Sequence, residues 1–330
     1  MTVVLDKVQG WVAAPAARKR VDRAAYAAIV ALGLLLFWIS ERHPAMAPVW
    51  APWDFSPAVY LATALTLFWF VRGLLRTAAA ARPPAWRCFL FLLGLAAIYG
   101  VLQTRFEYWS QHMFFLNRIQ HVVMHHFGPF LVALGAAGAT IKTGMPAWAR
   151  RLTERRAVTG TLRVLQQPVL AAFLFVGSFF FWLIPDVHFR AMIDPNLYAL
   201  MNWTMVLDGL LFWSLVLDTR PKPPARVGFG TRAVLAIVVM FPQIILGAVV
   251  ALWQYDLYPY YAICGRIFPS VSALNDQHIG GVIIWIPPAM MSVAAALLVL
   301  VALRIHEESL EETDEDAAYL AALARRWTGR

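Results

Sequence analysis

Polar positions are the exception along this chain, and where they fall predicts its elements. Runs of mainly apolar residues occur at 24–40, 57–75, 86–103, 115–138, 168–185, 197–217, 231–253 and 279–303. Each is close to the ~20 residues that a helix needs to cross a hydrocarbon layer. The fold class expected is all-α, a polytopic transmembrane bundle of about eight spans. Proline, aromatic and charged punctuation separates the runs, as in HPAMAPVWAPWDFSP, RPPAWR and RPKPPAR. No internal repeat is visible. Residues 1–23 read as an N-terminal tail without the short apolar core of a cleavable leader. Residues 24–304 form the transmembrane helical domain, and residues 305–330 an acidic C-terminal tail.

Composition supports the same class. Of the 330 residues, 60% are hydrophobic, against about 45–50% in soluble domains. Two cysteines, Cys88 and Cys264, lie far apart and form no CxxC, so no thiolate framework is expected. The net charge of +9 does not point to nucleic acid, because the cations sit between the spans. With the N-terminus inside and the spans alternating, 23 of the 28 Lys and Arg fall on the cytoplasmic side. Only Arg42, Arg105, Arg118, Arg190 and Arg266 fall outside. That asymmetry predicts two cytoplasmic termini and an even number of spans.

In the same frame seven of the eight histidines gather at the outer side, which charge balance does not require. Three of them, His121, His125 and His126, fall in the outer part of the fourth span. Ionisable side chains in a bilayer are costly unless they pair, line a cavity or hold a ligand. Residues three and four apart share a helix face, so Asn117, His121, Met124 and His125 make a stripe. Gln120 borders it, and His126 points about a quarter-turn away. Imidazole and thioether together suit Cu(I). The alternative is that these side chains bond to neighbouring helices and hold the bundle together.

Other outer residues are candidates to complete such a site. In NDQHIGGVIIW, Asp276 either caps its own helix or orients a liganding imidazole, and His278 follows in the first turn. In YWSQHM, His112 and Met113 are placed to pass metal onward. His188, after Pro185, is expected to face outward as a weaker ligand. Asp208 is the acidic residue within a span, and the sequence names no partner for it. No nucleotide-binding glycine pattern and no nucleophile elbow is present, so no catalytic residue is assigned and no enzyme activity is expected.

The stretch IQHVVMHHFGPFLVALG resembles the QH…P-x-L-x-x-LG helix of the caa3-type CtaG family of cytochrome c oxidase assembly factors. Gln120, His121, Pro129, Leu131 and Gly135 match it. LYPYY resembles that family's Tyr-Pro-x-Tyr stretch through Tyr258, Pro259 and Tyr261. DQHIGGVIIW resembles its Asp-Gln-x-x-x-Gly-x-x-x-Trp stretch through Asp276, Gln277, Gly281 and Trp285. The order is right, and the resemblance covers about residues 55–305. It implies a bacterial inner-membrane protein that helps mature a haem–copper oxidase by handling copper on the periplasmic side. The implied partners are an oxidase subunit or a periplasmic copper protein, beside the lipid bilayer. Where the family commonly has a His-Met pair ahead of Gln-His, this chain has Asn117 and Arg118. His125 and His126, or His112 and Met113, are the candidates to substitute.

The expected copper ligands are thus His121 and His125, with Met124, His126, His278, His112 and Met113 as auxiliaries, supported by Asp276, Gln120 and Asn117. Three other readings stay open. One is a haem-binding oxidoreductase with His121 or His125 facing His278. Another is a copper permease with a methionine ladder, and the last is a membrane scaffold that docks a partner.

Overall fold

The computed structural model describes residues 15–44 and 47–328, and the described residues form helices and turns without a strand. Residues 1–14, most of the expected N-terminal tail, lie outside the described residues. The first helix, α1 (Pro15–Arg42), takes in the remainder of that tail. It is followed by α2 (Pro57–Arg76), α3 (Ala85–Gln103) and the short α4 (Arg105–Ser110). Next comes α5 (Phe114–Val122), continued through a π turn (Val123–Phe127) into α6 (Gly128–Gly135). Short helices α7 (Gly138–Gly144), α8 (Ala147–Thr153) and α9 (Arg156–Leu165) lead to α10 (Pro168–Leu183), α11 (Pro185–Ile193) and α12 (Pro195–Val216). The chain closes with α13 (Phe229–Val238), α14 (Met240–Leu252), α15 (Tyr260–Cys264) and α16 (Ala273–Thr328).

Proline sets several of these starts, because its fixed φ suits a first helical turn where no N–H is needed. Pro57, Pro168, Pro185 and Pro195 each open a helix. Asp194 caps α12 by accepting from the Asn196 and Leu197 N–H groups at 2.8 and 3.3 Å.

Six helices are long and apolar enough to cross a membrane: α1, α2, α3, α12, α13 with α14 (Phe229–Leu252), and α16. The other two expected spans are bent. The stretch Phe114–Gly135 turns by 73° onto α7, and α9 turns by 74° onto α10. The first bend sits at Ala136, which adopts a left-handed conformation with φ 47°. At the second, Gln167 is extended, as the residue before a proline tends to be. Large apolar side chains are exposed around the spans, among them Leu34, Phe173, Ile245 and Leu297. That is the surface a bilayer covers.

The acidic C-terminal segment begins within the last helix. Helix α16 is a single helix of 56 residues, with Pro287 and Pro288 inside it, and it runs past the expected boundary at 304. Helices α14 and α16 pack closely because small residues meet: a Cβ on Gly247 would lie 2.9 Å from the Gly281 carbonyl oxygen.

Candidate functional site

The candidate site is built on the stretch Asn117–His126, whose polar residues are fully buried. Its local geometry begins with Pro129. A proline lacks the N–H that would bond four residues back, and its ring crowds that carbonyl. Four residues back is His125. The helix widens there, and the Gly128 N–H bonds instead to the Val123 carbonyl, five residues earlier. The freed His125 carbonyl is met by Gly209 on α12, where a Cβ would lie 2.3 Å from the oxygen. Only glycine allows that approach, and it sets the neighbouring Asp208 against His125.

The widened turn also changes the relation of the two consecutive histidines. The His125 and His126 Nδ1 atoms are 3.1 Å apart. His126 Nε2 lies 2.6 Å from Gln243 Oε1, and Gln243 Nε2 donates to the Val239 carbonyl at 2.8 Å. These bonds fix the protons. Gln243 must present its oxygen, so His126 Nε2 donates to it and His126 Nδ1 carries the lone pair. His125 Nδ1 therefore donates to His126, and the His125 Nε2 lone pair faces Asp208. His125 Nε2 and Asp208 Oδ1 are 3.0 Å apart, an electrostatic contact rather than an aligned hydrogen bond. The His125 ring is held flat against Phe175 and Phe179. Asp208 thus has the partner that the sequence did not name, and His125 and His126 are occupied with each other, Asp208 and Gln243.

His121 is different. It is fully buried, and neither ring nitrogen has a hydrogen-bond partner. Arg118, one turn earlier, is also fully buried; it donates to Asn117 Oδ1 and stacks over Phe114, while its Nε and Nη1 are unpartnered. His188 comes to the same cluster from α11. Its Nδ1 lies 3.2 Å from the Trp182 carbonyl and its Nε2 lies 3.0 Å from the Tyr261 hydroxyl. The carbonyl can only accept, so Nδ1 donates and Nε2 accepts from Tyr261. Burial pushes the Tyr258 phenol up to about 12 and holds Tyr261 well above its ordinary value, so both hydroxyls stay protonated donors. Tyr258 uses its proton on the Leu183 carbonyl at 2.9 Å and stacks on Phe114.

The remaining candidates are mostly structural. Gln120 donates to the Val101 carbonyl at 2.8 Å and accepts from Tyr198 at 3.2 Å. Met124 and Met113 are fully buried, with Met113 at the start of α5. Asp276 does not cap its own helix or orient an imidazole. It reaches across to the start of α5, accepts from the Phe114 and Phe115 N–H groups at 3.0 and 2.7 Å, and pairs with Arg266. Gln277 accepts from the Leu257 N–H at 2.7 Å. The Asp-Gln pair therefore ties α16 to α5 and to the loop before α15.

Three expected placements are corrected. His278 is turned to the loop after α14 rather than buried with His121; its Nε2 is 3.1 Å from the Trp253 carbonyl on the exposed side of α16. His112 likewise stays with its own turn, 2.8 Å from the Tyr108 carbonyl and tilted against that ring with centroids 4.2 Å apart. His188, by contrast, was expected to face outward and is buried. Pro185 starts a second helix there and turns His188 back into the bundle. Among the described residues no three of His, Cys, Asp and Glu converge as a metal site. Gln243, the fixing partner of His126, had a visible signal as the one amide in the apolar stretch MFPQIIL.

The fold and the buried histidine cluster define a polytopic helical membrane protein with one polar centre on a broken helix. The chain belongs to the cytochrome c oxidase caa3 assembly factor (Caa3_CtaG) family, whose model matches residues 66–305. An uncharacterized protein of Mycobacterium leprae is 25% identical over 268 residues, which are 74% of this chain and 38% of that protein. The chain thus spans well under half the length of that curated relative. No solved structure matches.

Proposed function

We propose that this chain is a non-enzymatic assembly factor that handles copper for a haem–copper oxidase in the bacterial inner membrane, with His121 as the principal ligand. The observation that carries the reading is the fully buried His121 imidazole with both nitrogens unpartnered. A buried polar group without a partner costs about 1–3 kcal/mol, a cost that a bound ion removes. Met124, three residues on, supplies a thioether suited to Cu(I). Copper here is cargo, passed between the chain and an oxidase subunit or a periplasmic copper protein. His125 and His126 shape the site from behind: His126 is held between Gln243 and His125, and His125 Nε2 is turned to Asp208. The excess of Lys and Arg on the opposite side of the spans supports a periplasmic position for this centre.

Anaerobic Cu(I) titration of the purified chain against a chromophoric chelator tests the reading. His121→Ala should abolish binding, Met124→Leu should weaken it, and His278→Ala should leave it unchanged. Binding that survives His121→Ala removes the assignment.

A further inference from the structure

A cavity of about 350 Å³ lies where the loop before α2, α4 and the start of α12 meet. Its polar lining is Asp54, Ser56, Glu107, Gln111, Tyr198 and Asn202, with Met192 at one wall; the Ser56 hydroxyl is taken by the Val59 N–H. Asp54 is exposed at the mouth, whereas Glu107 and Asn202 are only 9% and 7% exposed. The Asn202 Oδ1 atom is buried without a hydrogen-bond partner. The Glu107 carboxyl makes no ion pair or hydrogen bond within the described residues. No Lys or Arg lines the cavity. Arg105, on the same short helix as Glu107, lies against the Trp53 ring and the Pro44 and Ala47 carbonyls. Asp194, next to the cavity, is committed to capping α12.

We propose that this cavity binds a hard divalent cation of the Ca²⁺ or Mn²⁺ kind, held by Asp54, Glu107 and the Asn202 amide oxygen. The donors are oxygens, which such ions prefer, and the volume leaves room for the waters they retain. Two carboxylates in a cavity that no Lys or Arg lines match the charge of one divalent ion. A buried amide oxygen that finds no donor inside the protein gains a partner at the same time. The donor set separates this site from the imidazole and thioether centre on α5. Wall residues touch that centre, Tyr198 through Gln120 and Met192 through Asn117.

Binding is coupled to protons. Burial, with the Asp54 carboxylate as a second cause, holds the Glu107 carboxyl well above the usual carboxylate range. The groups facing it are Asp54 and the Tyr198 phenol, neither of them a cation. The ion therefore displaces a proton from Glu107, and affinity rises with pH.

Mn²⁺ titration of the full chain in detergent, followed by electron paramagnetic resonance of the free ion, tests the site. The expected result is one saturable site below about 1 mM, weaker at acidic pH. Glu107→Gln, which keeps the shape, should weaken it by at least about tenfold, and Asn202→Leu by a smaller factor. Unchanged thermal melting of Glu107→Gln shows that the loss is not unfolding. No saturable Mn²⁺ binding by the wild type, or binding that Glu107→Gln leaves unchanged, overturns the proposal. Cu(I) binding should be indifferent to Glu107→Gln, and Mn²⁺ binding to His121→Ala, so the two assignments stand or fall separately.

Discussion

His125 Nε2 lies 3.0 Å from Asp208 Oδ1, across a helix interface that spans 83 positions of sequence. The bonds from Gln243 to His126 and from His126 to His125 leave His125 Nε2 with a lone pair directed at the carboxyl group. A lone pair facing an ionised carboxylate is repelled, so the contact requires one proton on the pair, which then carries no net charge.

A neutral donor should replace that proton. Asp208→Asn presents an N–H to the His125 lone pair and should change stability by less than about 1 kcal/mol, whereas Asp208→Leu leaves the imidazole unpaired and should cost about 1–3 kcal/mol. Denaturant unfolding in detergent reads the difference. Equal losses in both variants mean that the contact is not directional.

The approach of α12 to the π turn gives a steric prediction. A Cβ at Gly209 meets the His125 carbonyl, whereas one at Gly100 meets nothing within 4 Å. Gly209→Ala should destabilise by about 1–3 kcal/mol through forced backbone shifts. Gly100→Ala, in an ordinary helical position, should be neutral or stabilising by about 0.4–1 kcal/mol. The same unfolding measurement checks both.

Asp276 joins two helices through one carboxylate. Removing it leaves Arg266 without its partner and the first N–H groups of α5 without an acceptor. Asp276→Ala should cost about 3–5 kcal/mol, the range for breaking a buried pair by removing one partner. Arg266→Ala in that background should then add little, because the two residues share one interaction. Additive losses in the double-mutant cycle contradict the coupling.

At the opposite end, beyond α12, a pH dependence is expected. Burial alone raises the Asp218 carboxyl, but hydrogen bonds from Arg220, at 2.7 and 2.8 Å, hold it below its ordinary value. A depressed carboxylate adds stability that is present above the unfolded pKa, about 3.9, and is lost as pH falls through the folded one. The loop that Arg232 braces through the carbonyls of Asp218, Arg220 and Val227 should loosen in acid. Limited proteolysis from neutral pH to about pH 3 should show that loosening, and Asp218→Asn should flatten the profile.

The sequence by itself determined the helical bundle. Spans of apolar residues are local, and a bilayer requires each to satisfy its backbone internally, so helix after helix can be read from composition and punctuation. It also marked His121 as unusual, because an imidazole in an apolar run is anomalous wherever its neighbours lie. The two broken spans were less legible: Pro168 signals one bend, while the π turn needs Pro129 and the approach of Gly209 together. Only the tertiary structure decided what each polar group meets. Asp208 finds His125, Asp276 finds α5 rather than its own helix, His188 turns inward, and His278 stays apart. Hydrophobic periodicity sets which residues leave the lipid, but it carries no information about the partner across the interface. In a low-dielectric interior that partner decides whether a buried polar group is a brace or an open ligand.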